Sequence, residues 1–248
     1  NMAENVLMDP FDTILDQGLK ILIYGDTGNG KTRTSITCPG KVLILNAEAG
    51  LLSIKDWKSD TTTNAEDVKV LNVQSIQDVE DARKKLEAGE LEFDTVVLDS
   101  VSEIAEIMLA EEKRRNKDAR AAYGNVNESM TKLLRAYRDL KMHVLFLCKL
   151  KKSNNDGVWM FEPALVGQQL GQQIPYFFDE VFAIRKVEET NEDGQTESNS
   201  WLQTNPGQNY VAKDRSNALD DFEVPNITNI IDKIQNQDKT QEIGGADE

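Results

Sequence analysis

The chain has 248 residues, of which 39% are apolar and 29% charged, a polar but globular composition with enough chain for one sizeable core. Lys and Arg total 28 against 43 Asp and Glu, a formal net charge of −15, which excludes a general nucleic-acid coat and requires a local basic patch for any DNA contact. No apolar run reaches the roughly 18 residues of a membrane span, and no basic-then-apolar leader opens the chain, so a cytoplasmic location is expected. The two cysteines, Cys38 and Cys148, have no CxxC spacing, and the only histidine is His143. Disulfide frameworks, zinc clusters, Ser-His-Asp triads and Cys-His dyads therefore drop out. The chemistry is left to Lys, Arg, Asp, Glu, Thr, backbone amides and a bound ion.

Residues 1–18 read as an acidic arm with a short helix. A core is expected over 19–234 and a disordered acidic tail over 235–248, where little can be buried. Within the core, 20–24 is a short apolar strand that runs straight into Gly25-Asp26-Thr27-Gly28-Asn29-Gly30-Lys31-Thr32. This matches G-x-x-x-x-G-K-[ST], in which glycines let the turn tighten and expose successive N–H groups to phosphate oxygens. A helix expected over 31–37, stopped by Pro39-Gly40, adds its positive end. Lys31 is placed on the β- and γ-phosphates of ATP and the Thr32 hydroxyl on Mg²⁺, and Arg33 follows as part of the nucleotide-binding set.

An apolar run at 42–45 leads into Asn46-Ala47-Glu48-Ala49-Gly50, and 68–73 is a further strand. A helix is expected over 75–88, ended by Gly89. The apolar strand 95–98 ends at Asp99, an acid suited to the Mg²⁺ shell from a strand beside the phosphate loop. Amphipathic helices are expected at 101–115 and 128–141, and a buried strand at 144–147. Continuous apolar runs alternating with helices indicate an α/β fold with a mostly parallel sheet covered on both faces. From 157 to 213 the strands at 181–185 and 201–204 come without long helices, so antiparallel strands are expected at one edge, with 188–200 as an exposed hairpin connection.

Which class of P-loop protein this is follows from what is missing. Asn116-Lys117-Asp118-Ala119 fails the Asn-Lys-x-Asp base reader of a GTPase at its last position. Asp99 is followed by Ser100 and not by the Glu found in many AAA-type ATPases, so the carboxylate that activates water sits elsewhere. Glu48, just past the next strand after the phosphate loop, is the first candidate, from a position beside the loop, and Glu103 the weaker one.

With these parts in this order the chain resembles the RecA family over about residues 19–225, most closely the small phage-encoded RecA-like ATPases, also described as AAA-domain or nucleotide-binding proteins and linked to single-strand annealing recombination. The resemblance rests on the phosphate loop, the Ala47-Glu48 strand end, Val96 to Ser100, and a later strand ending in a polar pair. It implies a RecA-like fold, Glu48 as catalytic base, and a γ-phosphate sensor at the later strand's end. There Lys149 stands in place of the usual glutamine. It also implies a cation pair acting on the neighbouring subunit's γ-phosphate, for which Lys213 and Arg215, two residues apart on a strand, are the matching positions. Single-stranded DNA is expected along 114–127, with Arg114, Arg115, Lys117, Arg120 and Tyr123, and along 151–173, with Lys151 and Lys152. Trp159 and Phe161 read as packing residues. The expected activity is thus a homo-oligomeric, Mg²⁺-dependent ATPase acting on single-stranded DNA in phage recombination or replication. A ring-forming motor and a non-hydrolysing ATP-gated adaptor stay open beside it.

Overall fold

The protein's structure, a computed structural model, describes residues 7–166, 173–174 and 176–241. The first strand, β1 (Lys20–Gly25), is buried along its whole length, and its side chains alternate between two cores. Leu22 and Tyr24 face one side while Ile21 and Ile23 face the other. The same alternation runs through β2 (Gly40–Asn46), β4 (Thr95–Asp99), β5 (His143–Asn155) and β7 (Glu180–Thr190). Such runs are apolar on both faces because helices cover both.

On one face lie α3 (Ile76–Glu87), α4 (Val101–Arg115) and α5 (Ala119–Arg138). On the other lie α2 (Lys31–Thr34) with the 3₁₀ turns that follow it, and α6 (Ile227–Gln241). α1 (Pro10–Gln17) buries no residue; Asp9 caps it, and Ile14 and Leu15 stay exposed. Among the described residues the sheet has ten strands. With β3 (Ala65–Asn72), β8 (Thr196–Gln203) and β10 (Phe222–Glu223), its path is β10-β8-β7-β1-β5-β4-β2-β3. The pairs β7–β1, β1–β5, β5–β4, β4–β2 and β2–β3 are parallel, and β8 and β10 add antiparallel at one edge. Two strands leave the path: β6 (Val158–Ala164) folds back on β5, and β9 (Lys213–Asp214) pairs with β7. The expected α/β architecture with antiparallel edge strands is the one observed.

Several expected boundaries move, each for a physical reason. The 31–37 helix is α-helical only over Lys31–Thr34 and tightens to a 3₁₀ turn at Ser35–Thr37 before Pro39. The helix expected from residue 128 starts at Ala119, because Asp118 caps the Arg120 N–H and Ala122 and Val126 continue the buried stripe. The expected 114–127 loop is consequently helical except at 116–118. The strand expected to end near 147 runs on to Asn155, since β6 supplies ladder partners from Lys149↔Ala164 to Asn155↔Val158. The tail expected from 235 begins inside α6, which is anchored by Ile227, Ile230 and Ile231 and extends to Gln241. Residues 1–6 of the arm, 167–172 of the second DNA segment and 242–248 of the tail lie outside the described residues.

Candidate active site

The strand order corrects one expectation. Asp99 and Glu48 were placed beside the phosphate-loop strand, but β5 lies between β1 and β4, and β2 lies one strand further out. The acids reach the loop by another route. Asn46 stands opposite Asp99 in the β2–β4 register, and the Asp99 carbonyl accepts the N–H groups of Ala47 at 2.7 Å and Glu48 at 3.1 Å. The chain then turns at Gly50 and packs on α2. An ideal Cβ on Gly50 would fall 2.5 Å from the Thr32 Oγ1, so a side chain here would displace the hydroxyl.

The loop itself is held from both ends. Gly30 adopts φ +96°, a left-handed conformation that a side chain disfavours, and α2 starts at the next residue. The Lys31 ammonium is buried and donates to the carbonyls of Gly25 and Asp26, both at 2.8 Å. Burial pushes its pKa down, and the nearby Glu48, Asp99 and Asp26 act against that shift. Asn29 donates through its side-chain amide to the Ile184 carbonyl at 3.2 Å and accepts the Ser200 hydroxyl on its own carbonyl at 2.9 Å. These two bonds tie the loop to β7 and β8.

Thr32, Glu48 and Asp99 meet with Lys31, Thr27 and Gly28 around a cavity of about 430 Å³. The Thr32 hydroxyl donates to Asp99 Oδ2 at 2.6 Å. Burial pushes the Asp99 carboxyl up; the Thr32 bond opposes the shift, Glu48 adds to it, and Lys31 opposes it again. Glu48 Oε2 is buried with no hydrogen-bond partner. Among the described residues no cluster of three or more His, Cys, Asp or Glu side chains is set to hold a metal. The donors present, one hydroxyl and one carboxylate, suit Mg²⁺, which fills its remaining positions with water and phosphate oxygens. Glu48 and Asp99 stand in the cleft with Lys31, while the Arg33 guanidinium at its rim is paired with Asp60.

The other candidates lie apart from this cleft or at its rim. Arg33 lines the cleft but pairs with Asp60 at 2.5 Å. Lys149 stands opposite Gly25 in the β1–β5 register, and its ammonium pairs with Glu103, which holds the Lys149 pKa up. Glu103 is therefore engaged by Lys149 and does not line the cavity. Lys213 donates to the Phe178 carbonyl at 2.9 Å and Arg215 pairs with Asp179 at 2.6 Å, so both cations face one short segment away from their own chain's phosphate loop.

Of the DNA candidates, Arg114 and Arg115 end α4, and the Lys113 ammonium lies 5.2 Å from the Tyr123 ring centroid. Lys151 pairs with Glu162 at 3.2 Å, and Lys152 sits over Phe161. Phe161 stacks on Tyr210 at 4.4 Å as a packing residue, whereas Trp159 is 55% exposed and departs from that expectation.

Sequence reasoning passed over Gly50 and Ser200. The Glu48-Ala49-Gly50 turn after an apolar strand was a usable signal for the first. Nothing local marks Ser200, whose contact with Asn29 spans 171 residues. Among the described residues no helix is long and apolar enough to cross a membrane. A family model described as an AAA domain matches residues 17–216, which takes in every candidate site residue and leaves α6 outside. No curated protein matches the chain.

Proposed function

The chain belongs to the AAA domain family of nucleotide-binding ATPases, and on that premise we propose that it is a Mg²⁺-dependent, RecA-like ATP hydrolase that works as an assembly on single-stranded DNA. The 25–32 loop and Lys31 bind the triphosphate, and Thr32 and Asp99 are the residues that would hold Mg²⁺, which when bound neutralises charge on the β- and γ-oxygens. Glu48 takes a proton from water as the water oxygen bonds to the γ-phosphorus. The bond from that phosphorus to the β,γ-bridging oxygen breaks, leaving ADP and inorganic phosphate. Lys149 reads the γ-phosphate, and Lys213 and Arg215 complete the site of a neighbouring copy.

One observation carries the base assignment: Glu48 lines the cleft that holds Lys31, Thr32 and Asp99. A carboxylate lining the cleft is placed to take a proton from a water there. The DNA reading is supported by the RecA resemblance and by where the cations fall. Lys151 and Lys152 continue the strand that passes Gly25 at Lys149, while Arg114, Arg115, Lys117 and Arg120 cluster at the α4–α5 turn of an otherwise acidic chain. A role in phage recombination or replication follows from the same resemblance.

The test is Glu48→Gln. Turnover is expected to fall by about 10²–10⁴-fold with ATP affinity kept, the range for loss of a general base. Unchanged turnover removes Glu48 from the role. Turnover with and without single-stranded DNA, followed with light scattering, tests the rest. Stimulation with assembly growth supports it, duplex unwinding marks a ring motor, and ATP binding without turnover marks an adaptor.

A further inference from the structure

Tyr24 is the last side chain of β1 before the phosphate loop, and it is fully buried. Its ring packs in the core shared with α3, α4 and α5, whereas α2 lies on the other face of the sheet. The hydroxyl donates to the Val211 carbonyl at 2.6 Å, with the Phe161 carbonyl as a second acceptor at 3.0 Å. We propose that Tyr24 is a positioning residue for Lys213 and Arg215: through Val211 it sets the segment that presents these two cations to a neighbouring copy's γ-phosphate. The proposal rests on the reading above that both cations act on that neighbour, and it adds what holds them in place.

The segment is held at both ends. At the far end the Asp214 carboxylate accepts the Ser216 N–H at 2.9 Å, the Ser216 hydroxyl at 2.6 Å and the Leu219 N–H at 3.2 Å. In the middle, β9 pairs with β7 at Val181↔Lys213 and Glu180↔Asp214, and the Arg215 N–H donates to the Asp179 carbonyl at 3.2 Å. This strand is only two residues long, so contacts outside it decide where the near end lies. There Tyr210 stacks on Phe161 at 4.4 Å, the Arg185 guanidinium lies 4.2 Å from the Tyr210 ring centroid, and the Tyr24 hydroxyl reaches Val211. The Val211 N–H donates to the Phe161 carbonyl at 3.0 Å. Phe161 therefore keeps a donor when the hydroxyl is removed, and the loss falls on Val211, two residues before Lys213.

Burial pushes the Tyr24 phenol's pKa up, and Tyr210 adds to the shift, so the hydroxyl keeps its proton and stays a donor. A buried carbonyl stripped of a donor is costly, and the chain around it shifts to recover a partner. A misplacement of about 1 Å costs up to about 10²-fold in rate where a group must meet the reacting atoms. Tyr24 does not line its own chain's phosphate cleft, so the effect is expected at the neighbour's site.

Tyr24→Phe keeps the ring and removes the hydroxyl. ATP turnover of the assembled protein is expected to fall about tenfold to 10²-fold, with ATP affinity in calorimetry unchanged. Mixing tells which site is impaired. Lys31→Ala lacks the loop lysine and keeps the cations, and Arg215→Ala lacks a cation and keeps the loop. Tyr24→Phe co-assembled with Lys31→Ala is expected to regain turnover, because the intact loop of one meets the intact cations of the other. Co-assembled with Arg215→Ala it is expected to regain none, because neither chain presents a well-set cation pair. A loss of stability alone does not distinguish the two mixtures. Regain with Arg215→Ala, no regain with either partner, or full turnover of Tyr24→Phe by itself overturns the proposal. If Lys31→Ala and Arg215→Ala do not complement each other when co-assembled, the shared-site reading falls and this proposal with it.

Discussion

Thr32 and Asp99 stand 67 residues apart in the chain, yet the hydroxyl of one donates to the buried carboxylate of the other at 2.6 Å. This contact closes the cleft between the phosphate loop and the second acid. Thr32→Val is expected to abolish the gain in ATP affinity that Mg²⁺ brings, measured as affinity with Mg²⁺ against affinity with a chelator. Thr32→Ser keeps the hydroxyl and is expected to keep the gain. The valine variant should also lose about 1–3 kcal/mol of stability, because it strips a buried acceptor of its donor. A full Mg²⁺ effect in the valine variant removes Thr32 from the ion's shell.

Gly50 supports the same hydroxyl by lacking a side chain. Its Cβ would fall 2.5 Å from Thr32 Oγ1, and its backbone is otherwise unstrained at φ −115°. Gly50→Ala is expected to weaken Mg-ATP binding about tenfold and to lower the melting temperature by a few degrees, because it displaces the donor to the buried Asp99 carboxylate. Tight Mg-ATP binding in this variant shows that the 47–50 turn moves freely over Thr32.

The roles of Lys213 and Arg215 are tested by mixing. Arg215 and its partner Asp179 are each 59% exposed, so Arg215→Ala should cost at most about 1 kcal/mol of stability. Lys31→Ala and Arg215→Ala proteins, each inactive alone, are expected to regain part of the ATP turnover when combined, because a mixed interface joins an intact loop to an intact cation. Absence of any regain in co-assembled protein removes the shared site.

Glu180 gives the fold a pH dependence of its own. It is buried at 2% exposure on β7, and burial, with Asp214 beside it, pushes its carboxyl up from 4.5 to about 9. The folded state therefore binds the proton more tightly than the unfolded state. The group's contribution to stability is complete below about 4.5 and is lost as pH rises to about 9. Glu180→Gln keeps the shape and does not ionise. The difference in melting temperature, variant minus unaltered protein, is expected to grow across this window, by about 2–4 °C per kcal/mol for a domain of this size. A difference that stays flat with pH overturns the assignment.

What the sequence determined by itself is what short spacings can encode. Continuous apolar runs marked the parallel strands, and Gly25 through Thr32 marked the phosphate loop. Lys31 and Thr32 were legible from the G-x-x-x-x-G-K-[ST] spacing, and Glu48 and Asp99 because each comes at the polar end of an apolar run; the structure gathers all four around one cavity. Tertiary structure alone decided the order of strands, which puts β5 between β1 and β4 and brings Glu48 in through the Asp99 carbonyl. It also decided that Lys149 meets Glu103, that Arg33 meets Asp60, and that the Tyr24 hydroxyl meets the Val211 carbonyl. Side-chain periodicity tells each strand which faces to bury but not which strand lies next to it. Pairing between distant strands is settled only when the whole sheet assembles between its helices.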